Sequence, residues 1–226
     1  MASRPVFIPN TTGTKLVRVV DIDFNWIPGM SLGQAHKRVI SFHQAIQSKL
    51  AIRRVLEISS KSLDGLGIAL SAFNLQFIFR NGLKTSVESA YQGGKKFLGG
   101  GPFPDLLRMP SIEAKRDPRL KSSGSLMGFV GQDGDWQLNP PTAFYDWLYI
   151  SALLQSPHLS SQLTEFDGFT DIAFNPAKSL NCQARAAALF VSLHRLGTLN
   201  QVMQNRDIFI QTIQNSIVGT ADSTLF

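Results

Sequence analysis

Residues 86–97 read SVESAYQGGKKF, and this stretch decides how the rest of the chain is interpreted. On a helix that begins near Ser86, four polar residues fall at i, i+3, i+4 and i+7 and share one face: Glu88, Tyr91, Gln92 and Lys95. A face that combines an acid, a phenol, an amide and an amine is unusual if it is buried. The two glycines that follow cost on the order of 1 kcal/mol each relative to alanine in a helix interior. The pattern therefore predicts a helix with a candidate functional face and a close approach by a ligand or another backbone.

The segments on either side predict a hairpin and a long loop. Residues 75–79 and 83–85 are suited to strands, and the Asn81-Gly82 pair between them favours a type I′ turn, in which both central residues have positive φ. Three glycines and a proline at 99–102 end the helix. Residues 98–141 are rich in Gly, Pro, Ser and charge, so we expect a mostly irregular stretch with one short helix at 111–115. A loop of this length is usually functional.

The remaining segments complete an α+β pattern. We expect an irregular arm at 1–14, a strand at 16–24 and a helix from Ser31, with Gln34 completing a capping box. A short strand is expected at 55–59, and further helices at 142–155, 159–165, 179–196 and 202–217. The fold class is therefore α+β, a mainly helical single domain with a few short strands. Within it we expect residues 1–54 to be a basic N-terminal extension packed on a core of residues 55–226.

Composition excludes several classes of protein. The chain has 226 residues, 43% of them hydrophobic and 17% charged, which suits one globular domain rather than a disordered chain. A single cysteine, Cys182, excludes an intramolecular disulfide. We find no secretory signal and no run that could cross a bilayer, so we expect a cytoplasmic protein without a membrane partner. No metal-ligand spacing, P-loop or dinucleotide motif is present, so we expect no metal and no cofactor.

The positive charge is concentrated near the N-terminus. The net charge is +6, and residues 34–61 contain six basic residues against one acid, Glu57. Such a patch suits a polyanion such as DNA, RNA or a pyrophosphate ligand, although a solvated face on a basic protein explains it equally well. The candidate DNA-binding residues are Lys37, Arg38, Arg53 and Arg54.

Several motifs, taken in order, resemble the NADAR family. Residues 86–95 are similar to the family signature S-V-E-x-A-Y-Q-x-x-K, and residues 70–74, LSAFN, resemble its L-S-N-F element. Because the asparagine is not in its usual place, its role either moves to Asn74 or is absent. Residues 114–116 resemble its A-K element, and residues 181–197 its terminal helix. The stretches 99–105, 141–149 and 169–185 are similar to the branch that accompanies DarT-type DNA ADP-ribosyltransferase toxins. The resemblance covers roughly residues 55–198.

This resemblance implies an N-glycosidase with a NADAR-like fold. In the toxin-associated branch the substrate is ADP-ribosylated guanine in DNA, which we expect to be single-stranded, and the enzyme acts as the antitoxin to a cognate DarT-type toxin. The modified base would have to leave the stack to reach a pocket. Other members are linked to riboflavin-pathway intermediates, so a phosphoribosyl-amine N-glycosidase is one alternative. A non-catalytic module that binds ADP-ribose or the toxin is another.

The chemistry of ribosyl C–N cleavage assigns the candidate roles. Glu88 is the first choice for an acid, base or electrostatic stabiliser of the oxocarbenium ion. Lys95 could attack the anomeric carbon and form an imine if its pKa is lowered, and otherwise would bind pyrophosphate. Asp146 could be a second acid, or simply an acid on a helix surface. Trp136 or Tyr91 could stack on a base, although a core role fits Trp136 equally.

The other expected substrate-binding residues are Ser71, Asn74, Tyr91, Gln92, Lys96, Lys115, Arg116, Arg119, Trp147, Asp171, Asn175 and Asn181. Among these, Lys115, Arg116 and Arg119 are candidates for the diphosphate. Turn and cap positions alone would explain Asp171, Asn175 and Asn181.

Overall fold

The computed structural model describes residues 1–177 and 179–218. The strands are β1 (Ala2–Pro9), β2 (Val17–Phe24), β3 (Val55–Glu57), β4 (Gln76–Ile78), β5 (Lys84–Ser86), β6 (Lys95–Phe97), β7 (Leu126–Gly131), β8 (Gly134–Trp136) and β9 (Gly168–Thr170). The helices are α1 (Leu32–Lys49), α2 (Gly65–Ala69), α3 (Val87–Gly93), α4 (Ser111–Arg116), α5 (Arg119–Ser122), α6 (Ala143–Leu154), α7 (Pro157–Leu163), α8 (Gln183–Arg195), α9 (Leu199–Val202) and α10 (Arg206–Val218). A 3₁₀ turn spans Pro104–Arg108. The predicted α+β class is confirmed.

The chain forms two compact units. The first unit contains Met1–Ser71 and His158–Phe226, and the second contains Ala72–Pro157. The expected boundary at residue 54 stays a prediction. In the described residues, no helix has both the length and the hydropathy needed to span a membrane.

A four-stranded sheet organises the first unit, in the order β2-β1-β9-β3. Strands β1 and β2 form an antiparallel ladder from the Ala2–Phe24 pair to the Pro9–Val17 pair, whereas β3 and β9 are parallel. The predicted irregular arm at 1–14 is therefore wrong over residues 2–9. Pairing with β2 satisfies the backbone of this segment, and its apolar side chains Val6, Phe7 and Ile8 are buried.

Helix α1 covers this sheet through an apolar stripe. Val39, Phe42 and Ile46 are buried in one cluster with Ile22 and Phe24 of β2. The predicted N-terminus is confirmed, because the Ser31 hydroxyl accepts a hydrogen bond from the Gln34 N–H at 3.3 Å. The predicted capping box is incomplete, because Gln34 Oε1 is buried and accepts no hydrogen bond among the described residues. At the far end of the unit, α8 ends before Gly197, whose φ of +70° confirms the predicted C-terminal cap.

The predicted hairpin in the second unit is confirmed, but its turn type is wrong. Strands β4 and β5 are antiparallel, and the Phe79 N–H donates to the Leu83 carbonyl, which leaves a three-residue loop. Only Gly82 in this loop has positive φ, +83°. The Asn81 side chain accepts a hydrogen bond from the Leu83 N–H at 3.0 Å. One glycine with positive φ after a right-handed turn is typical of three-residue hairpins.

Helix α3 is shorter than predicted because the residues that follow it join a sheet. Strand β6 pairs antiparallel with β7, and β7 pairs with β8, in a segment that we expected to be mostly irregular. That expectation is wrong for Leu126–Gly131 and Gly134–Trp136, whereas the short helix expected at 111–115 is present as α4.

Gly94 allows β6 and β7 to approach each other. A Cβ at this position would lie 2.8 Å from the Val130 carbonyl oxygen and 2.9 Å from Phe144 Cζ. The Val130 N–H also donates to the Gly94 carbonyl at 2.7 Å. The close approach predicted at this glycine pair is therefore made by another backbone.

Candidate active site

The N-terminus of α3 is fixed by serine hydroxyl groups in the second unit. The Ser86 hydroxyl accepts a hydrogen bond from the Ser89 N–H at 3.0 Å, and the Ser111 hydroxyl lies 2.8 Å from it. Ser89 Oγ in turn donates to the Met109 carbonyl at 3.1 Å. These contacts place Glu88 in the first turn of the helix, where its own N–H donates to the Ala72 carbonyl.

Glu88 is buried, with 5% of its surface exposed, and it is contacted on one carboxylate oxygen. Gln92 Nε2 donates to Glu88 Oε1 at 2.8 Å, and Lys115 Nζ lies 3.5 Å from the same oxygen. Among the described residues, no side chain or backbone group donates a hydrogen bond to Oε2. Gln92 Oε1 is also buried, and it has no hydrogen-bond partner among the described residues. Two acceptor oxygens therefore remain for a ligand or water.

Lys95 belongs to the same cluster, although it does not lie on the helix. The prediction that it is on the helical face is wrong, since it is the first residue of β6. Its Nζ lies 4.8 Å from the centroid of the Tyr91 ring. Burial lowers the pKa of Lys95, the charge of Glu88 opposes this effect, and the charge of Lys115 adds to it. The structure thus brings together the acid, the amide and the amine.

Tyr91 is buried within an aromatic cluster. Its ring centroid lies 5.4 Å from that of Phe129 and 5.3 Å from that of Tyr145, which it meets edge to face. Trp136 is also buried, 5.6 Å from Phe144. The core role is therefore observed for Trp136, and stacking of Tyr91 on a base stays a prediction.

The basic residues expected at the diphosphate have different surroundings. Lys115 is half exposed beside Glu88, and its Nζ lies 4.9 Å from the Phe73 ring centroid. Arg116 is exposed. Arg119 is held by two carboxylates, Asp105 at 2.5 Å and Asp117 at 2.9 Å, and its hydrogen bonds, together with its charge, lower the pKa of both. The guanidinium group that was expected to bind phosphate is thus already paired with two acids.

The other predicted residues of the second unit make local contacts. Lys96 is exposed, with its Nζ 3.5 Å from Asp135. Asn74 is exposed, and its carbonyl accepts a hydrogen bond from the Gln76 amide. Trp147 Nε1 donates to Asp133 at 3.0 Å.

Asp146 is completely buried, so its interpretation as a surface acid is wrong. Its Oδ2 accepts a hydrogen bond from the Thr142 hydroxyl at 2.7 Å. The contact ties Asp146 to the residue that precedes α6. A catalytic role for Asp146 stays a prediction.

A buried polar network in the first unit was not predicted. Glu57, at the end of β3, accepts hydrogen bonds from the Ser59 and Thr170 hydroxyls at 2.6 and 2.7 Å and from the Ile172 N–H at 2.9 Å. His43 Nε2 lies 2.9 Å from Thr170 Oγ1. One signal in the sequence could have identified it: Glu57 is the single acid in the basic stretch and lies within a predicted strand between apolar residues.

Asp171 adds a second carboxyl group to this network. It accepts hydrogen bonds from the Ala173 N–H and from Gln183 Nε2, both at 3.0 Å. Burial and the charge of Glu57 raise the pKa of Asp171 to about 7, and burial also raises the pKa of Glu57. Burial lowers the pKa of His43 to about 4. Asp171 therefore releases its proton only near neutral pH, where His43 is uncharged.

The remaining candidates in the first unit have structural contacts. Ser71 is completely buried, and its hydroxyl has no hydrogen-bond partner within the described residues. Asn175 Oδ1 accepts a hydrogen bond from the Ala177 N–H at 3.0 Å, which is a turn contact. Asn181 is partly exposed just before α8, and its carbonyl accepts a hydrogen bond from the Ser179 hydroxyl. Burial raises the pKa of the Cys182 thiol, so this residue is not an activated nucleophile.

Two of the four predicted DNA-binding residues make intramolecular contacts. Arg38 donates to the carbonyls of Ile27 and Gly29, and its guanidinium lies 4.8 Å from the Trp26 ring centroid. Arg54 pairs with Glu165 at 2.7 Å. Lys37 and Arg53 are exposed, and no carboxylate pairs with either among the described residues.

The comparison with family models bears on the whole chain. The model of the DarT1-associated NADAR antitoxin matches residues 2–223. No curated protein gives a significant match. A match over nearly the full length, including the signature around Glu88, establishes that the chain belongs to the family of DarT1-associated NADAR antitoxins.

Proposed function

We propose that the protein is an N-glycosidase that removes ADP-ribose from guanine bases in DNA and thereby reverses the action of a cognate DarT-type toxin. The observation that carries this proposal is the environment of Glu88. Its carboxylate is buried, both of its side-chain contacts are on Oε1, and Oε2 accepts no hydrogen bond from the described residues. A fixed carboxylate with one available oxygen suits a reaction that develops positive charge on a sugar.

In the proposed reaction, the bond between the anomeric carbon and the guanine nitrogen breaks, and its electron pair stays on the nitrogen. The negative charge of Glu88 stabilises the resulting oxocarbenium ion. Water adds to the anomeric carbon and gives a proton to Glu88 Oε2, and Glu88 then passes this proton to the guanine nitrogen and returns to its charged form. The net change is the addition of one water molecule across the C–N bond.

A covalent route would use Lys95. Its lowered pKa favours the neutral amine, which is the nucleophilic form. The amine would attack the anomeric carbon as the guanine nitrogen leaves with the electron pair of the C–N bond and takes up one proton of the amine. Transfer of the second amine proton to the ring oxygen would open the ring and give an imine. Water would then hydrolyse the imine, release ADP-ribose and regenerate the amine.

Basic side chains would hold the substrate at two parts, the diphosphate of ADP-ribose and the phosphates of the DNA. Lys115 and Arg116 are exposed enough to contact the diphosphate, and Lys37 and Arg53 are exposed enough to contact DNA phosphates. Binding through such residues falls steeply with salt. Arg119 is a weaker candidate, because a phosphate would have to displace Asp105 and Asp117.

The decisive experiment follows the release of unmodified DNA from a single-stranded oligonucleotide that carries ADP-ribose on guanine. We expect turnover by the wild type and a loss of about 10²- to 10⁴-fold for Glu88→Gln, which keeps the size of the side chain and removes its charge. Glu113→Gln is the matched control, because Glu113 is exposed on α4. Its turnover should equal that of the wild type.

The alternatives give different results. If the wild type leaves the adduct intact but hydrolyses a phosphoribosyl-amine, the substrate is a small molecule. If it hydrolyses neither and Glu88→Gln still neutralises the toxin in cells, the protein is a binding module. Thermal unfolding of each variant separates loss of chemistry from loss of fold.

A further inference from the structure

The first unit contains a cavity that none of the residues in the cluster around Glu88 lines. Its volume is about 500 Å³, and its walls come from the β1–β2 loop, the start of β2, α8 and α10. This volume is within the range of pockets that bind small organic ligands. None of the substrate-binding candidates from the sequence lines it.

Hydrogen bonds fix the β1–β2 loop that forms one wall. Asn10 Nδ2 donates to the carbonyls of Thr12 and Lys15, both at 2.6 Å. The Asn10 N–H faces Ser192 Oγ at 3.0 Å, and the Leu16 N–H donates to Ser216 Oγ at 3.1 Å. The loop is thus tied to α8 and α10, and the wall is formed before any ligand arrives.

The charge of the lining has one sign. Lys15, Arg18 and Arg185 line the cavity, and no acid lines it. Lys15 and Arg18 are exposed, and within the part of the chain that the structure describes neither pairs with a carboxylate. Lys15 and Arg18 together create a positive potential at the cavity that favours an anion.

The same cavity also offers apolar surface. Leu16 and Val17 line it and are partly exposed, and Val19, which also lines it, is 52% exposed. A simple inorganic anion would leave this surface uncovered. A ligand that combines a phosphate with a flat apolar group would use both parts of the wall.

We propose that this cavity binds a nucleotide unit, with its phosphate at Lys15 and Arg18 and its base against Leu16 and Val17. The unit could belong to a DNA strand or to a free nucleotide, because both present a phosphate beside a base. The proposal depends on the proposed function only for the DNA strand as the source. Binding of a ligand in the cavity does not depend on whether the protein is a hydrolase.

The test measures binding rather than turnover. Fluorescence anisotropy with a labelled, unmodified single-stranded oligothymidylate reports the strand, and calorimetry with AMP reports the free nucleotide. The full chain is compared with Lys15→Gln/Arg18→Gln and with Lys61→Gln/Arg108→Gln. The second pair removes the same charge from exposed residues that do not line the cavity.

We expect the cavity variant to bind about tenfold more weakly than the control variant, with a shallower dependence of affinity on salt. If the cavity variant binds the oligonucleotide more weakly, the ligand is a DNA strand. If it binds only AMP more weakly, the ligand is a free nucleotide. Equal weakening in both double variants, or no binding of either probe by the wild type, overturns the proposal. Neither probe carries a bond between ADP-ribose and guanine, so binding is measured without turnover, and failure of hydrolysis and failure of the cavity are distinguishable.

Discussion

Lys115 Nζ lies 3.5 Å from Glu88 Oε1, which joins a half-exposed cation to a buried carboxylate. Only 7% of the Glu88 side chain is exposed, compared with 52% for Lys115. The charges of both residues act on Lys95, Glu88 raising its pKa and Lys115 lowering it. One surface residue is therefore placed to influence the ionisation of a buried amine.

Removal of the Lys115 charge should change the pH dependence of turnover. In Lys115→Gln, the pKa of Lys95 rises, because a nearby positive charge no longer disfavours its protonation. If Lys95 must be neutral, the acidic limb of the pH–rate profile moves to higher pH, and kcat falls severalfold at neutral pH. The rate is measured on the modified oligonucleotide from acid to alkaline pH. Lys121→Gln, an exposed lysine of α5, is the control, and an unshifted limb in Lys115→Gln would contradict the role of Lys95.

Reduction with borohydride should trap Lys95. An imine between its amine and the sugar becomes a stable secondary amine when reduced, so mass spectrometry should find ADP-ribose attached to the wild type. Lys96→Ala should retain this adduct, because Lys96 is exposed beside Asp135. Lys95→Ala should lose the adduct and about a hundredfold or more in rate. Active enzyme that never yields an adduct would favour direct attack by water.

Asp171 should make the protein less stable as the pH rises. Its folded-state pKa is raised from 3.8 to about 7, so the folded state holds the proton more tightly than the unfolded state. The free energy of unfolding therefore falls between about pH 4 and pH 7. His43, whose pKa is lowered to about 4, has the opposite effect, because it makes the free energy of unfolding increase as the pH rises above about 4. This contribution is the same in the wild type and in variants of Asp171.

The side chain introduced by Asp171→Asn cannot ionise, so the free energy of unfolding of this variant should not show the decrease. Between pH 5 and pH 8 we expect the wild type to lose on the order of 2 kcal/mol more than the variant, after allowance for partial exposure of Asp171. Denaturant unfolding at a series of pH values measures the difference. Asp21→Asn, at an exposed position on β2, should retain the slope of the wild type. Parallel curves for Asp171→Asn and the wild type would refute a bound proton at this site.

Gly94→Ala should destabilise the second unit. The added methyl group would lie 2.8 Å from the Val130 carbonyl oxygen, and backbone cannot move as easily as a side-chain end. We expect a loss of about 1–3 kcal/mol. Gly33→Ala is the control, because no heavy atom lies within 4 Å of the added Cβ and the site is helical. It should be neutral or stabilising by up to about 1 kcal/mol, and equal losses in both variants would contradict the role of close approach at Gly94.

The sequence predicted features that depend on neighbours along the chain. The cap at Ser31, the hairpin around Gly82 and the end of α8 at Gly197 all follow from residues within one or two turns. The contact of Gln92 with Glu88 is of the same kind, because residues four apart on a helix are adjacent in space. The signature that places the chain in its family also lies in this local region.

Only the tertiary structure decided the features that need a distant partner. Lys95 left the predicted helix because β7, some thirty residues later, pairs with its backbone, and the segment 2–9 became a strand because β2 pairs with it. Arg119 was expected to bind phosphate but forms an ion pair with Asp105. Glu57 accepts hydrogen bonds from Thr170 and Ile172, which lie more than a hundred residues later in the chain. Periodicity and spacing report which residues share a face, but they do not report which face meets another. The sequence by itself therefore determined the local elements and the residues of the candidate site, whereas long-range pairing determined their burial, charge and available atoms.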